Sequence, residues 1–202
     1  GPGPDFDDDR PLTVSSPLVN EGSPFVVFTV SGGTGQLVLL QTADGTASVE
    51  DGSAPVKNDG SEDYGPRLQV WNPASGPAGA WVDYTPGTRV AIPAGSTTLL
   101  VRTAIINDTL NEGDHTFTLT ATNTGGTSGT GTATINDRGQ GDLFPDAPPG
   151  PGGAPTKDTT SARNDDRPDA VDDALSLALD GSVSAQIIAR NDGPAPTTQL
   201  TI

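Results

Sequence analysis

Thr116-Phe117-Thr118-Leu119-Thr120 alternates without a break between a polar β-branched residue and a large apolar one. Successive side chains of a strand point to opposite faces, so this period of two puts Phe117 and Leu119 on a buried face and the threonines on a wet one. The neighbouring sequence repeats the theme. Runs rich in Val, Leu, Ile, Phe and Thr at 13–16, 25–30, 36–42, 89–92, 97–106 and 130–135 are separated by turn residues such as Ser31-Gly32-Gly33 and Ala43-Asp44-Gly45. No window carries an apolar stripe at helical spacing, and 26 Gly and 19 Pro interrupt the chain too often for long helices. About seven strands over residues 11–138 predict an all-β fold, a two-sheet antiparallel β-sandwich.

Outside these runs the rhythm breaks. Residues 48–80 read as an insertion with one short hairpin, holding or bordering the aromatics Tyr64, Trp71 and Trp81. Residues 139–168 are mostly Gly, Pro, Asp and Thr, a linker stiffened by Pro145, Pro148, Pro149, Pro151 and Pro155. Residues 1–10 are an acidic linker. Residues 169–202, with strands expected at 175–179 and 183–189, are too few for a core of their own and read as the truncated start of a following β domain. Asp7-Asp8-Asp9-Arg10-Pro11 returns 157 residues later as Asn164-Asp165-Asp166-Arg167-Pro168, each time ahead of an expected first strand. A junction repeated at domain spacing predicts a tandem array. The lack of even an initiator methionine predicts a mature fragment or an engineered piece, and Gly1-Pro2 is set aside from the fold reasoning as a tag remnant.

The charge balance narrows the function. Ten Lys and Arg stand against 26 Asp and Glu, a net charge of -16 that repels phosphate backbones and argues against nucleic-acid partners. Apolar runs of only a few residues exclude membrane insertion by a helix. With no cysteine there is no disulfide framework, thiolate metal site or cysteine nucleophile. The lone His115 has no partners that spell a catalytic triad or a zinc site, no phosphate-cradling loop is present, and acids are too abundant to single out a hydrolytic pair. The chain is expected not to be an enzyme.

Five ordered signatures resemble the Calx-β family. Val19-Asn20-Glu21-Gly22 with Phe25 to Val30 is similar to its opening, and Gln41-Thr42-Ala43-Asp44-Gly45-Thr46-Ala47 to its second signature. Asp83-Tyr84-Thr85-Pro86 with Ile92-Pro93-Ala94-Gly95 resembles the third. Ile105-Ile106-Asn107-Asp108-Thr109-Leu110-Asn111-Glu112-Gly113-Asp114 resembles the fourth, and Thr134-Ile135-Asn136-Asp137 the closing strand. The resemblance implies a seven-stranded immunoglobulin-like sandwich that binds Ca²⁺ at one end, as in modules of large, repetitive bacterial surface proteins. The tail, with Ala170-Val171-Asp172-Asp173 and Ala189-Arg190-Asn191-Asp192, resembles the cadherin-like repeats of such proteins. There are departures. Asp83 lies 39 residues after Asp44 where the family keeps the Asp-Tyr pair close, and Asp63-Tyr64 competes for that role; the match downstream of Tyr84 favours Asp83. His115 stands where the family usually has an acid, and Asn107 and Asn136 replace common aspartates.

Calcium takes six to eight hard oxygens, which carboxylates and carbonyls supply. The resemblance implies Glu21, Asp44, Asp83, Asp108, Glu112 and Asp137 as ligands gathered at one end of the sandwich. Such a cluster repels itself without a cation. The competing reading is that Asp and Asn at these positions only form turns through their side chains. Two functions follow. The first is a calcium-stabilised extender in a secreted or cell-surface bacterial adhesin, monomeric in isolation, whose partners are neighbouring repeats. The second is a module that binds a host or cell-surface peptide or glycan through the 48–80 insertion, with Tyr64, Trp71 and Trp81 as contacts; against it stands a role for these aromatics in covering the core.

Overall fold

The computed structural model describes residues 8–50 and 62–165, together with the backbone of three short strands beyond them. The expected runs form strands: β1 (Thr13–Val14), β3 (Phe25–Ser31), β4 (Leu37–Asp44), β7 (Arg89–Ala91), β8 (Thr98–Ala104), β9 (His115–Asn123) and β10 (Ser128–Asn136). Three more join them, β2 (Leu18–Asn20), β5 (Gln69–Asn72) and β6 (Ala80–Asp83). Among the described residues they make two five-stranded sheets, ordered β1-β3-β8-β5-β6 and β2-β10-β9-β4-β7. The pairings are antiparallel except that of β2 with β10. The all-β sandwich is therefore present, and the hairpin expected in the insertion is β5–β6.

Alternation along β9 does what its sequence requires. Phe117, Leu119 and Ala121 are fully buried, while Thr120 and Thr122 bond sideways to Thr130 and Ser128 on the outer face. Phe117 meets Phe28 of the opposite sheet edge to face at 5.7 Å and stacks flat on Tyr64 at 3.9 Å. Strand β3 is buried on both faces. Its outer face and that of β8 are covered by the segment read as a linker.

Residues 139–165 lie against the sandwich as a strap. Asn20 N–H donates to Asp142 O and Asp142 N–H donates back to Leu18 O, both within 3.0 Å, so the strap extends the β2 edge. Leu143 and Phe144 are buried at 4% and 2% exposure, and Phe144 N–H donates to Ser23 Oγ. Further along, Asp146 pairs with Arg102, itself only 4% exposed, whose guanidinium lies 3.8 Å over Phe25 and 4.4 Å over Trp81. Gly141 must be glycine: its φ is +94°, and a Cβ would stand 2.5 Å from the Val19 backbone. Proline here gives an extended chain that hugs a sheet, the Leu143-Phe144 pair being what pins it down.

Beyond the strap, β11 (Pro168–Ala170), β12 (Gln186–Asn191) and β13 (Thr198–Thr201) pair as an antiparallel sheet. The strand expected at 175–179 lies outside the described residues, as do 51–61 of the insertion and 1–7 of the acidic linker; that expected at 183–189 overlaps β12. No helix among the described residues is long and apolar enough to cross a membrane.

Candidate metal centre

Four connections meet at one end of the sandwich: the β2–β3 turn, the segment 62–65, the β8–β9 loop and the exit of β10. Each is set by short-range bonds. Asn20 closes the first by accepting from Gly22 N–H on its side chain and from Ser23 N–H on its carbonyl. Asp108 Oδ1 accepts from Leu110 N–H at 2.7 Å, and Asn136 Oδ1 accepts from the N–H groups of Arg138 and Gln140. Turn formation by Asx side chains is thus real at this end. It leaves carboxylate oxygens over.

Glu21, Asp108 and Asp137 are brought together and buried, with 7%, 7% and 3% exposure. Glu21 Oε1 accepts from Asp108 N–H at 3.0 Å, and Asp137 Oδ2 from Glu112 N–H at 2.6 Å. The second oxygen of each, Glu21 Oε2 and Asp137 Oδ1, is shielded from solvent and meets no N–H or hydroxyl donor, so that only a proton shared between the two acids or a cation can satisfy them. A buried carboxylate oxygen without a donor is costly unless a proton or cation meets it. Burial pushes the Glu21 carboxyl up to about 8; the Asp108 N–H opposes the rise, and Asp137, by sharing a proton with Glu21 and by its charge, adds to it, as does the Asp108 charge. Hard anionic oxygens pointing into one dry space are the donor set that Ca²⁺ takes, so the residues present fit the ion.

Beside this pocket lies a second group. Ligand atoms of Asp63, Glu112 and His115 all lie within 4.8 Å of one another. His115 Nδ1 is 2.5 Å from Asp63 Oδ1 and 3.5 Å from Glu112 Oε2. Asp63 is aimed by Ser48 N–H, which donates to its other oxygen at 2.7 Å. His115 opens β9 opposite Ile135, its place fixed by the β9–β10 register. Burial would lower its pKa, but bonding to Asp63 and the charges of Asp63, Glu112 and Asp137 win, and it is raised. Glu112 is raised as well, first by burial and then by Asp108, Asp63 and Asp137 against the opposing pull of His115.

The other expected residues fall elsewhere. Asp44 ends β4 near this group, but its carboxylate accepts the Tyr64 hydroxyl. Asp83 does not join the cluster: it is exposed on β6 and accepts from Gln69 Nε2. Strand β6 is the sheet edge, two places from β8, so at roughly 4.8 Å per strand Asp83 is displaced by about 10 Å from the line of β8. Asp63 is the acid brought to this end, because Tyr64 pairs with Ile105 just beyond β8. The sequence held that signal in Glu62-Asp63-Tyr64, and it held His115, read there as unpartnered.

Tyr64 is not a surface contact. It is 1% exposed in the core, and burial, with Asp44 adding, raises its hydroxyl pKa. Trp71 and Trp81 are half-buried and meet edge to face at 5.5 Å. Trp81 is committed, its indole N–H donating to Ala147 O of the strap. Trp71 lines a shallow groove of about 400 Å³ with Val82, Val90 and Pro93.

No family model matches the sequence, and no curated protein does. Among solved structures the chain is similar to CBD12 from CALX1.2, at 17% identity and a TM-score of 0.39, over 63% of this chain and 44% of that one. It is also similar to the apo-form Calx CBD1 domain (18% identity, TM-score 0.37, 62% of this chain and 98% of that one) and to the Calx CBD2 domain (11%, 0.35, 61% and 85%). The chain thus spans less than half the length of CBD12.

Proposed function

We propose that this chain is a calcium-binding β-sandwich module, an extender in a secreted or cell-surface bacterial adhesin, with neighbouring repeats as its partners and no catalytic role. The observation that carries the calcium reading is the pair of buried oxygens that no N–H or hydroxyl reaches, Glu21 Oε2 and Asp137 Oδ1, beside Asp108. An ion held there ties the β2–β3 turn, the β8–β9 loop and the β10 exit into one unit. Binding to the folded state alone adds RT ln(1 + [L]/Kd), about 2.7 kcal/mol at a hundredfold excess over Kd. The recurrence of Asp-Asp-Arg-Pro and the acidic, cysteine-free composition support the extender role.

Calorimetric titration of the chelator-stripped chain tests the calcium step. Saturable Ca²⁺ binding tighter than millimolar, abolished by Asp137→Asn, is the expected result. No binding at several millimolar Ca²⁺ would remove the ion and with it the stiffening mechanism.

A further inference from the structure

We propose that the recurring motif, Asp7-Asp8-Asp9-Arg10-Pro11 and Asn164-Asp165-Asp166-Arg167-Pro168, is a clasp shared by two successive modules. Its first residue is held by the module before it, and its second and fourth by the module after it, so that modules meet end to end with no free linker. The inference rests on the reading of this chain as one module in a series and does not require a bound ion.

The two copies are bonded to opposite ends of one sandwich. The first lies where β3 and β9 finish. Asp8 N–H donates to Thr124 Oγ1 and Gly125 N–H donates to Asp8 O, both at 3.1 Å. The Asp8 carboxylate accepts from Arg10 Nε at 2.8 Å and Nη2 at 2.5 Å. The Arg10 carbonyl accepts from Gln36 Nε2 at 2.8 Å and Asn123 Nδ2 at 2.9 Å. The second copy lies where β3 and β9 begin. Asn164 N–H donates to Asn20 Oδ1 at 2.8 Å, and Asn164 O accepts from Asn20 Nδ2 at 3.0 Å and from Gly139 N–H at 2.9 Å. Asn164 Nδ2 donates to Asn107 Oδ1 at 2.7 Å. Asn20, Gln36 and Asn123 are at most 1% exposed, so three buried amides are turned on the motif. Buried amides are costly wherever a partner is missing, which suits a partner that is part of the chain. Two glycines make room for it: a Cβ at Gly22 would stand 3.0 Å from Asn164 Cβ, and one at Gly125 would stand 2.8 Å from Asp8 O.

The two sets of bonds use different groups of the motif. Asp165 stands opposite Arg138 in an antiparallel bridge flanked by the Gly139–Asn164 bond. Residues of such a non-hydrogen-bonded pair turn their N–H and C=O away from each other, so those of Asp165 face away from Arg138. The same two groups of Asp8 are the ones that meet Thr124 and Gly125. One copy can therefore satisfy both neighbours at once. The partner this implies is a second sandwich of the same build, docked by its β9–β10 turn onto the end that carries Asn20, Asn107 and Gly139.

A tandem tests this: residues 1–165 running directly into residues 9–202 join two complete sandwiches through one motif, whose sequence is that of 164–168. The chain has no cysteine, so Thr132→Cys, exposed on β10, places one spin label in each sandwich. Pulsed dipolar spectroscopy in millimolar Ca²⁺ reads the distance between the labels. The expected result is one narrow distribution at roughly 40 Å, a strand length of about 30 Å plus the loops at the two ends. Asn164→Ala, or Gly-Ser-Gly inserted after Asp165, is expected to widen it by about twofold, as a flexible linker does. A broad distribution in the unaltered tandem, or one that neither change widens, would overturn the clasp. A broad distribution in a tandem that still takes Ca²⁺ by calorimetry would overturn the clasp and leave the calcium reading standing. A narrow one in a chain that takes no Ca²⁺ would do the reverse.

Discussion

Glu21→Gln separates a carboxylate built for an ion from one built for a turn. The ordinary pKa of 4.5 rises to about 8 in the fold, chiefly by burial. Between those values the folded chain keeps a proton that the unfolded chain has released, and stability falls as pH rises. At pH 7 the difference corresponds to about 3 kcal/mol, taking about 1.4 kcal/mol per pH unit above 4.5. Gln carries no charge to neutralise, still accepts from Asp108 N–H, and offers an N–H₂ toward the Asp137 side. In excess chelator the variant is therefore expected to be more stable than the wild type, by about 1–3 kcal/mol once relaxation is allowed for. In saturating Ca²⁺ that advantage is erased or reversed, because the wild type gains about 2.7 kcal/mol at a hundredfold excess over Kd while the variant, having lost a ligand, gains much less. Urea unfolding at pH 7, followed by the fluorescence of Trp71 and Trp81, reads both conditions. Destabilisation of Glu21→Gln by the same amount with and without calcium would refute the reasoning and reduce Glu21 to a turn acceptor.

Further outcomes follow from the same geometry. In chelator, stability should fall as pH rises from about 5 to 8, since Glu21, Glu112 and His115 are all raised in the fold; the His115 contribution is complete below its unfolded value near 6.5 and is lost through its folded one. Thermal melts across that range check the sign. Phe144→Ala should cost about 3–5 kcal/mol in urea, because the strap is core rather than linker; a loss under 1 kcal/mol would contradict this. Tyr64→Phe keeps the stack on Phe117 and loses the bond to Asp44, a cost of about 1–2 kcal/mol. Asp83→Asn should leave calcium affinity unchanged by calorimetry.

The sandwich was legible because its strands obey a local rule. Period-two alternation at Thr116 to Thr120 and dense β-branching at Phe25 to Val30 determine faces without knowledge of partners. Glu21, Asp108, Glu112 and Asp137 were named in the sequence through the family resemblance, and the β2–β3 turn, the β8–β9 loop and the exit of β10 bring them to one end. The choice between Asp63 and Asp83 was not, since it depends on whether Tyr64 or Tyr84 packs beside β8, a long-range pairing with no local signature. The strap was missed for a related reason. Its Gly and Pro content matches a linker, and only the contact of Leu143 and Phe144 with the sandwich distinguishes the two. His115 looked isolated because its partner Asp63 is 52 residues away in sequence.

A pair of thermal melts of the full chain, one in millimolar Ca²⁺ and one in excess chelator, tests the central claim most directly. A gain of about 2.7 kcal/mol raises the Tm of a folded unit of this size by roughly 5–10 °C, and that rise is predicted, with Mg²⁺ giving much less. Identical Tm values in calcium and chelator would contradict an ion held between Glu21, Asp108 and Asp137.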